Sequence, residues 1–83
     1  MDILKDISIA IGKRVKAIRK AQGMTQEQLG LLTNIDSADI SKYESGKINL
    51  TLKTFSKFVV ALKTQPKEFF DFEFDIKKYH IDE

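Results

Sequence analysis

Ser37, Ala38, Ser41 and Lys42 stand one, three and one residues apart in the chain, and on a helix that spacing gathers them on one face, turned away from Ile40 and Tyr43. Serine hydroxyls donate and accept, alanine fits against a thymine methyl, and lysine favours guanine O6 and N7. A helix about 10–12 Å across enters the major groove of duplex DNA, so the chemistry open to this face is hydrogen bonding to base edges. The side chains are short, which makes direct readout modest and leaves part of any discrimination to DNA shape. Asp39 can accept from cytosine N4, but it is better suited to serving the N-terminus of its own helix.

Catalysis has little to draw on. The chain has one histidine, His80, no cysteine and no glycine-rich phosphate loop, and His80 stands in an acidic terminus where solvation explains it. A non-enzyme is therefore expected, acting on no small-molecule substrate. Asp71, Glu73 and Asp75 could hold a hard cation, but alternation along an exposed strand accounts for them, so neither metal nor cofactor is expected.

The elements that must position the Ser37 to Lys42 face fit one domain, because 83 residues suffice for a single core. Without cysteine, helix packing alone must hold that core. No apolar run approaches the roughly 20 residues of a membrane span, and Asp2, Lys5 and Asp6 interrupt the N-terminus too often for a signal peptide, so a cytoplasmic protein is expected. The formal net charge of +2 conceals an asymmetry: residues 1–67 carry twelve Lys or Arg against six Asp or Glu, residues 68–83 two against six. The first part suits a polyanion and the tail does not.

Leu4, Ile7, Ile11, Val15 and Ile18 keep helical spacing, which predicts a first helix ending near residue 22. Gly23 closes it, and Thr25 with Gln28 forms a capping box for a second helix over 26–32. Asn34 tolerates positive φ, and Asp36 caps a third helix over 37–44 that buries Ile40 and Tyr43 and stops at Gly46. Thr51 caps a fourth helix, whose Leu52, Phe55, Phe58, Val59 and Leu62 form its apolar stripe. Pro66 opens a short fifth helix, from which Phe69 and Phe70 close the core.

After it the period changes: Phe70, Phe72, Phe74 and Ile76 alternate with Asp71, Glu73 and Asp75, as in a strand with one apolar face. A lone strand leaves its backbone groups unpaired. Two solutions are open: an antiparallel arm that dimerises through Phe72, Phe74 and Ile76, or an extended segment wrapping its phenylalanines onto its own helices.

The runs IGKRVKAIR at 11–19, GMTQEQL at 23–29 and ISKYESG at 40–46, with the apolar helix at 52–62, closely resemble the lambda-repressor/Cro type of helix-turn-helix domain, the Xre family, over about residues 8–70. The resemblance implies an all-α, five-helix bundle with a DNA-binding domain over 1–70; the alternation adds a C-terminal tail, extended or β-strand, over 71–83. It also implies that Gln26, opening helix two, holds a DNA phosphate, and that Arg19 pairs with Glu44 to set the third helix against the first. Arg14, Lys47 and Asn49 are further phosphate candidates. The chain's length and the run INLTL at 48–52 are similar to restriction-modification controller proteins. Double-stranded DNA is thus the expected partner, read by a homodimer as a palindromic operator; a protein-interaction adaptor or antitoxin on the same scaffold is the alternative.

Overall fold

The computed structural model describes residues 2–81, which form four α-helices: α1 (Ile3–Ala21), α2 (Gln26–Thr33), α3 (Ser37–Glu44) and α4 (Leu52–Leu62). Two single 3-10 turns follow, Pro66–Phe70 and Ile76–Lys78. Among the described residues there is no strand, and no helix is long and apolar enough to cross a membrane.

Capping residues explain most boundaries. The Asp2 carboxylate accepts from the Lys5 amide at 3.1 Å to open α1, and Gly23 takes a φ of 68° just past its end. Beyond that glycine, the Met24 amide reaches back to the Arg19 carbonyl and the Gly23 amide to that of Lys20, which satisfies the last turn. Thr51 opens α4 by accepting from the Thr54 amide at 3.1 Å. Ile11 and Val15 of α1, Leu29 of α2, Ile40 of α3, Phe58 and Leu62 of α4 and Phe69 of the first 3-10 turn are buried together as the core. Burying each such side chain contributes about 1.5–3 kcal/mol.

Three expectations need correction. The fifth helix is only one 3-10 turn, opened by Pro66; Phe69 closes the core from it, but Phe70 remains 47% exposed. Leu52, expected in the α4 stripe, is 84% exposed, because the helix starts with it and the core-facing arc is filled by Phe55, Phe58 and Leu62.

The tail also departs from a ladder strand. Asp71 has φ −78° and ψ 71°, and the Phe72 amide donates to the Phe70 carbonyl at 2.8 Å, an inverse γ-turn that bends the chain where a straight strand would begin. Asp75 then caps the 3-10 turn at Ile76–Lys78, ending the alternation. Between these bends Phe72 packs against the core and Phe74 lines a cleft beside α1, so the phenylalanines lie on the chain's own helices, as in the second of the two solutions. The rings pack in a tilted, edge-on series: Phe55 with Phe70, Phe70 with Phe72, Phe72 with Phe74 and Phe74 with Tyr79, at centroid separations of 5.3, 6.3, 5.3 and 6.1 Å. The Tyr79 hydroxyl donates to the Asp6 carboxylate at 2.7 Å, joining the end of the series to the start of α1.

Candidate nucleic-acid interface

The unit formed by α2, the turn and α3 is built by short-range rules. The Thr25 hydroxyl accepts from the Gln28 amide at 3.0 Å while the Gln28 side chain accepts from the Thr25 amide at 2.8 Å, the reciprocal cap that the sequence pattern predicts. Asn34 ends α2 at φ 59°, and the Ile35 amide donates to the Gly30 carbonyl. The turn passes so close to α2 that a Cβ on Gly30 would lie 2.6 Å from the Ile35 oxygen. Asp36 then caps α3 by accepting from the Ala38 amide at 2.9 Å. At the other end Gly46 adopts φ 75°, and the Lys47 and Gly46 amides donate to the carbonyls of Lys42 and Tyr43.

Two contacts fix α3 against α1. Backbone meets backbone at Gly12, where a Cβ would lie 2.6 Å from the Glu44 oxygen. Two turns further along, Arg19 grips both carboxylate oxygens of Glu44, with Nε at 2.6 Å and Nη2 at 3.0 Å, and its Nη1 donates to the Met24 carbonyl at 2.7 Å. Both side chains of this pair are buried, as the resemblance implies. The Gln26 amide also donates to Glu44, at 3.1 Å, so the first residue of α2 is tied to the last of α3. The angle between the two helices is therefore held at both ends by polar bonds as well as by Leu29 and Ile40.

The face that results is exposed at Ala38, Ser41 and Lys42, whereas Ser37 is half-buried at its edge, near Gly30. Ser45, one turn beyond Ser41, extends the same exposed face. Sequence reasoning passed over it because it lies past the expected helix end, although its spacing of four from Ser41 is the signal. Asp39 lies beside Lys42, with 3.9 Å between carboxylate and ammonium and both half-exposed. Lys47 and Asn49 are exposed on the loop leaving α3.

Arg14 does not join this group. Its Nε donates to the Glu68 carbonyl at 2.8 Å, holding the first 3-10 turn to α1. The reason is angular: Arg14 lies two residues from Gly12, about 200° around the helix from the seam with α3. Exposed Lys16 and Lys20, four and eight residues beyond Gly12, lie much nearer that seam. The tail runs beside α1 and not along the α3 face: Asp71, Phe72 and Phe74 line one cleft with Asp6, Ile9, Ala10, Lys13 and Arg14.

Residues 15–69 match a sequence family described as helix-turn-helix. Over 68 residues the chain is 34% identical to control protein C.BamHI of Bacillus amyloliquefaciens, a match that spans 81% of this chain and 84% of that protein. The restriction-modification controller protein C.AhdI from Aeromonas hydrophila superposes with a TM-score of 0.72 at 31% identity, covering 77% of this chain and 96% of its own. The wild-type restriction-modification controller protein C.Esp1396I does so with a TM-score of 0.71 at 31% identity, covering 86% and 88%.

Proposed function

The chain belongs to the helix-turn-helix family, in its lambda-repressor/Cro (Xre) form, and from that premise we propose that it is a sequence-specific transcriptional regulator of the restriction-modification controller kind, working by binding and not by catalysis. The observation that carries the reading is the exposed face of α3, clear of the tail and braced from behind by Arg19 and Glu44. In this proposal Ala38, Ser41, Lys42 and Ser45 meet base edges in the major groove, and Ser37 touches only the rim. In the first turn of α2 the Gln28 amide is taken by Thr25, and the remaining amides, those of Gln26 and Glu27, suit a phosphate oxygen. Gln26 positions that turn through Glu44. Lys47, Asn49, Lys16 and Lys20 flank the groove as backbone contacts.

One reader helix makes few base contacts, so two copies on half-sites about one helical turn apart are proposed. Leu52, Phe55 and Val59 fall on one stripe of α4, and Phe70 stacks on Phe55, giving a continuous apolar face with Leu52 84% and Phe70 47% exposed. A two-fold axis through this face would bury it and leave both copies of α3 on one side.

Titration of fluorescent duplex DNA at two salt concentrations, followed by selection from a random-sequence pool, tests the reading. Affinity that falls steeply with salt, together with a selected palindrome, is expected. Absence of binding at low salt would reject it in favour of an adaptor.

A further inference from the structure

Of the three leucines of α2, only Leu29 enters the core; Leu31 is 84% and Leu32 61% exposed. The residues that complete the buried side of that helix are Gly30 and Thr33, so neither outward leucine is needed for folding. Opposite them on α4, Val60 is 74% exposed, again without a role in the core. These side chains belong to two adjoining clefts that share Gln22, Met24 and Leu32: one lies between the C-terminal halves of α2 and α4, the other between α2 and the connection from α1. The apolar lining is Met24, Leu32, Val60 and Ala61, and among the described residues the only charged ones lining either cleft are Lys57 on α4 and Lys63 at its end. The nearest carboxylate on α2, Glu27, lines a different cleft, with Asp36, on the far side of Leu31.

We propose that this groove is a second interaction surface, which docks an acidic amphipathic helix of a partner protein. Apolar residues at helical spacing would sit on Met24, Leu32, Val60 and Ala61, and the carboxylates would line the edge facing Lys57 and Lys63. Methionine at the junction of the two clefts adapts to side chains of different shape. The charge of the groove selects the partner's sign: an apolar floor with two lysines and no carboxylate favours an acidic helix over a basic one. The surface is separate from the proposed dimer face, since Val60 and Ala61 lie on the side of α4 away from Phe55 and Val59. It also has no α3 residue in its lining, so docking leaves Ala38, Ser41 and Lys42 uncovered.

The test uses the whole chain and two designed fluorescent peptides, identical in their leucine spacing and differing only in glutamate or lysine on the polar face. Anisotropy titration should show the glutamate peptide binding at least about tenfold more tightly than the lysine peptide, with the preference shrinking at high salt. Amide shifts should move at Leu31, Leu32, Val60 and Ala61. Val60→Asp, on an exposed position, should abolish binding while circular dichroism and DNA affinity stay unchanged. Equal binding of the two peptides, or shifts centred on α3 or on Leu52 and Phe70, would overturn the proposal. So would a change of oligomeric state in Val60→Asp, because the groove would then be a contact between copies.

Discussion

Arg19 and Glu44 meet as two forks, each nitrogen on its own oxygen, across a separation of 25 residues in sequence. The geometry adds direction to the charge attraction, since a planar guanidinium facing a carboxylate permits little rotation of α3 against α1. Arg19→Ala would leave the Glu44 carboxylate buried with only Gln26 beside it, and urea denaturation should show a loss of about 3–5 kcal/mol. Arg19→Lys should restore little of this, because an ammonium cannot engage both oxygens and the Met24 carbonyl in the same geometry. A variant as stable as the parent would show that the pair is dispensable.

Gly12 is required by contact and not by torsion. Gly12→Ala drives a methyl into the Glu44 carbonyl, where backbone cannot yield cheaply, and overpacking of this kind costs about 1–3 kcal/mol. Gly23→Ala is the useful comparison: its Cβ meets nothing within 4 Å, but φ is 68°, so its cost is the left-handed strain of about 1–2 kcal/mol. Only Gly12→Ala should also disturb amide shifts throughout α3.

Tyr79 couples stability to alkaline pH. Its hydrogen bond to Asp6 raises the phenol above the ordinary value of 10.0, helped by desolvation and by the negative charges of Asp6 and Asp75. The neutral phenol is thus the form favoured by folding, so the contribution is complete below the unfolded value and is lost as pH rises through the folded one. Melting temperature should fall above pH 10.0 in the parent and less so in Tyr79→Phe, which lacks the bond at every pH. Identical pH profiles would remove the latch from the account.

Lys42 and Asp39 should have opposite effects on DNA. Lys42→Ala should cost about 1–3 kcal/mol on the selected site and relax preference at one position. Asp39→Asn removes a negative charge beside the groove, so binding to unrelated duplexes should tighten and the ratio of selected to unrelated affinity should fall. Lys47→Ala should weaken all duplexes alike and reduce the salt slope by about one.

Leu52→Glu combined with Phe70→Glu places charge on the exposed α4 face. Sedimentation equilibrium should show a dimer in the parent and a monomer in the variant, whose DNA affinity should drop on the full palindrome far more than on a half-site. A variant that remains dimeric would move the two-fold axis elsewhere.

Much of this architecture was readable from local rules. Thr25 with Gln28, Asn34, Asp36, Gly46 and Thr51 act over three or four residues, so their types alone announce where helices begin and end. What failed depended on contacts distant in sequence. Alternation from Phe70 to Ile76 signals a strand only if the backbone stays straight, and the γ-turn at Asp71 is not encoded in hydrophobic spacing. Leu52 keeps the α4 period, yet it stays 84% exposed while Phe55 in the same turn packs on Phe69. Arg14 was grouped with the phosphate candidates by its charge, but the azimuth of α1 and the Glu68 carbonyl place it elsewhere. Arg19, Glu44 and Gln26 came from family likeness, since no periodicity links residues on three helices.

Between residues 25 and 49, Lys42 and Lys47 face Glu27, Asp36 and Asp39, with Glu44 already neutralised by Arg19, while α1 and α4 carry the lysines. If the proposed reading holds, such a charge pattern would draw the chain to DNA by its flanks more than by the α3 face. On an unsuitable sequence its stay would then be brief, because Asp39 would meet phosphates at close range with no base contact to offset the repulsion. The consequence would be tempo in place of grip: rapid sampling along the duplex, with lingering reserved for sequences that fit the α3 face.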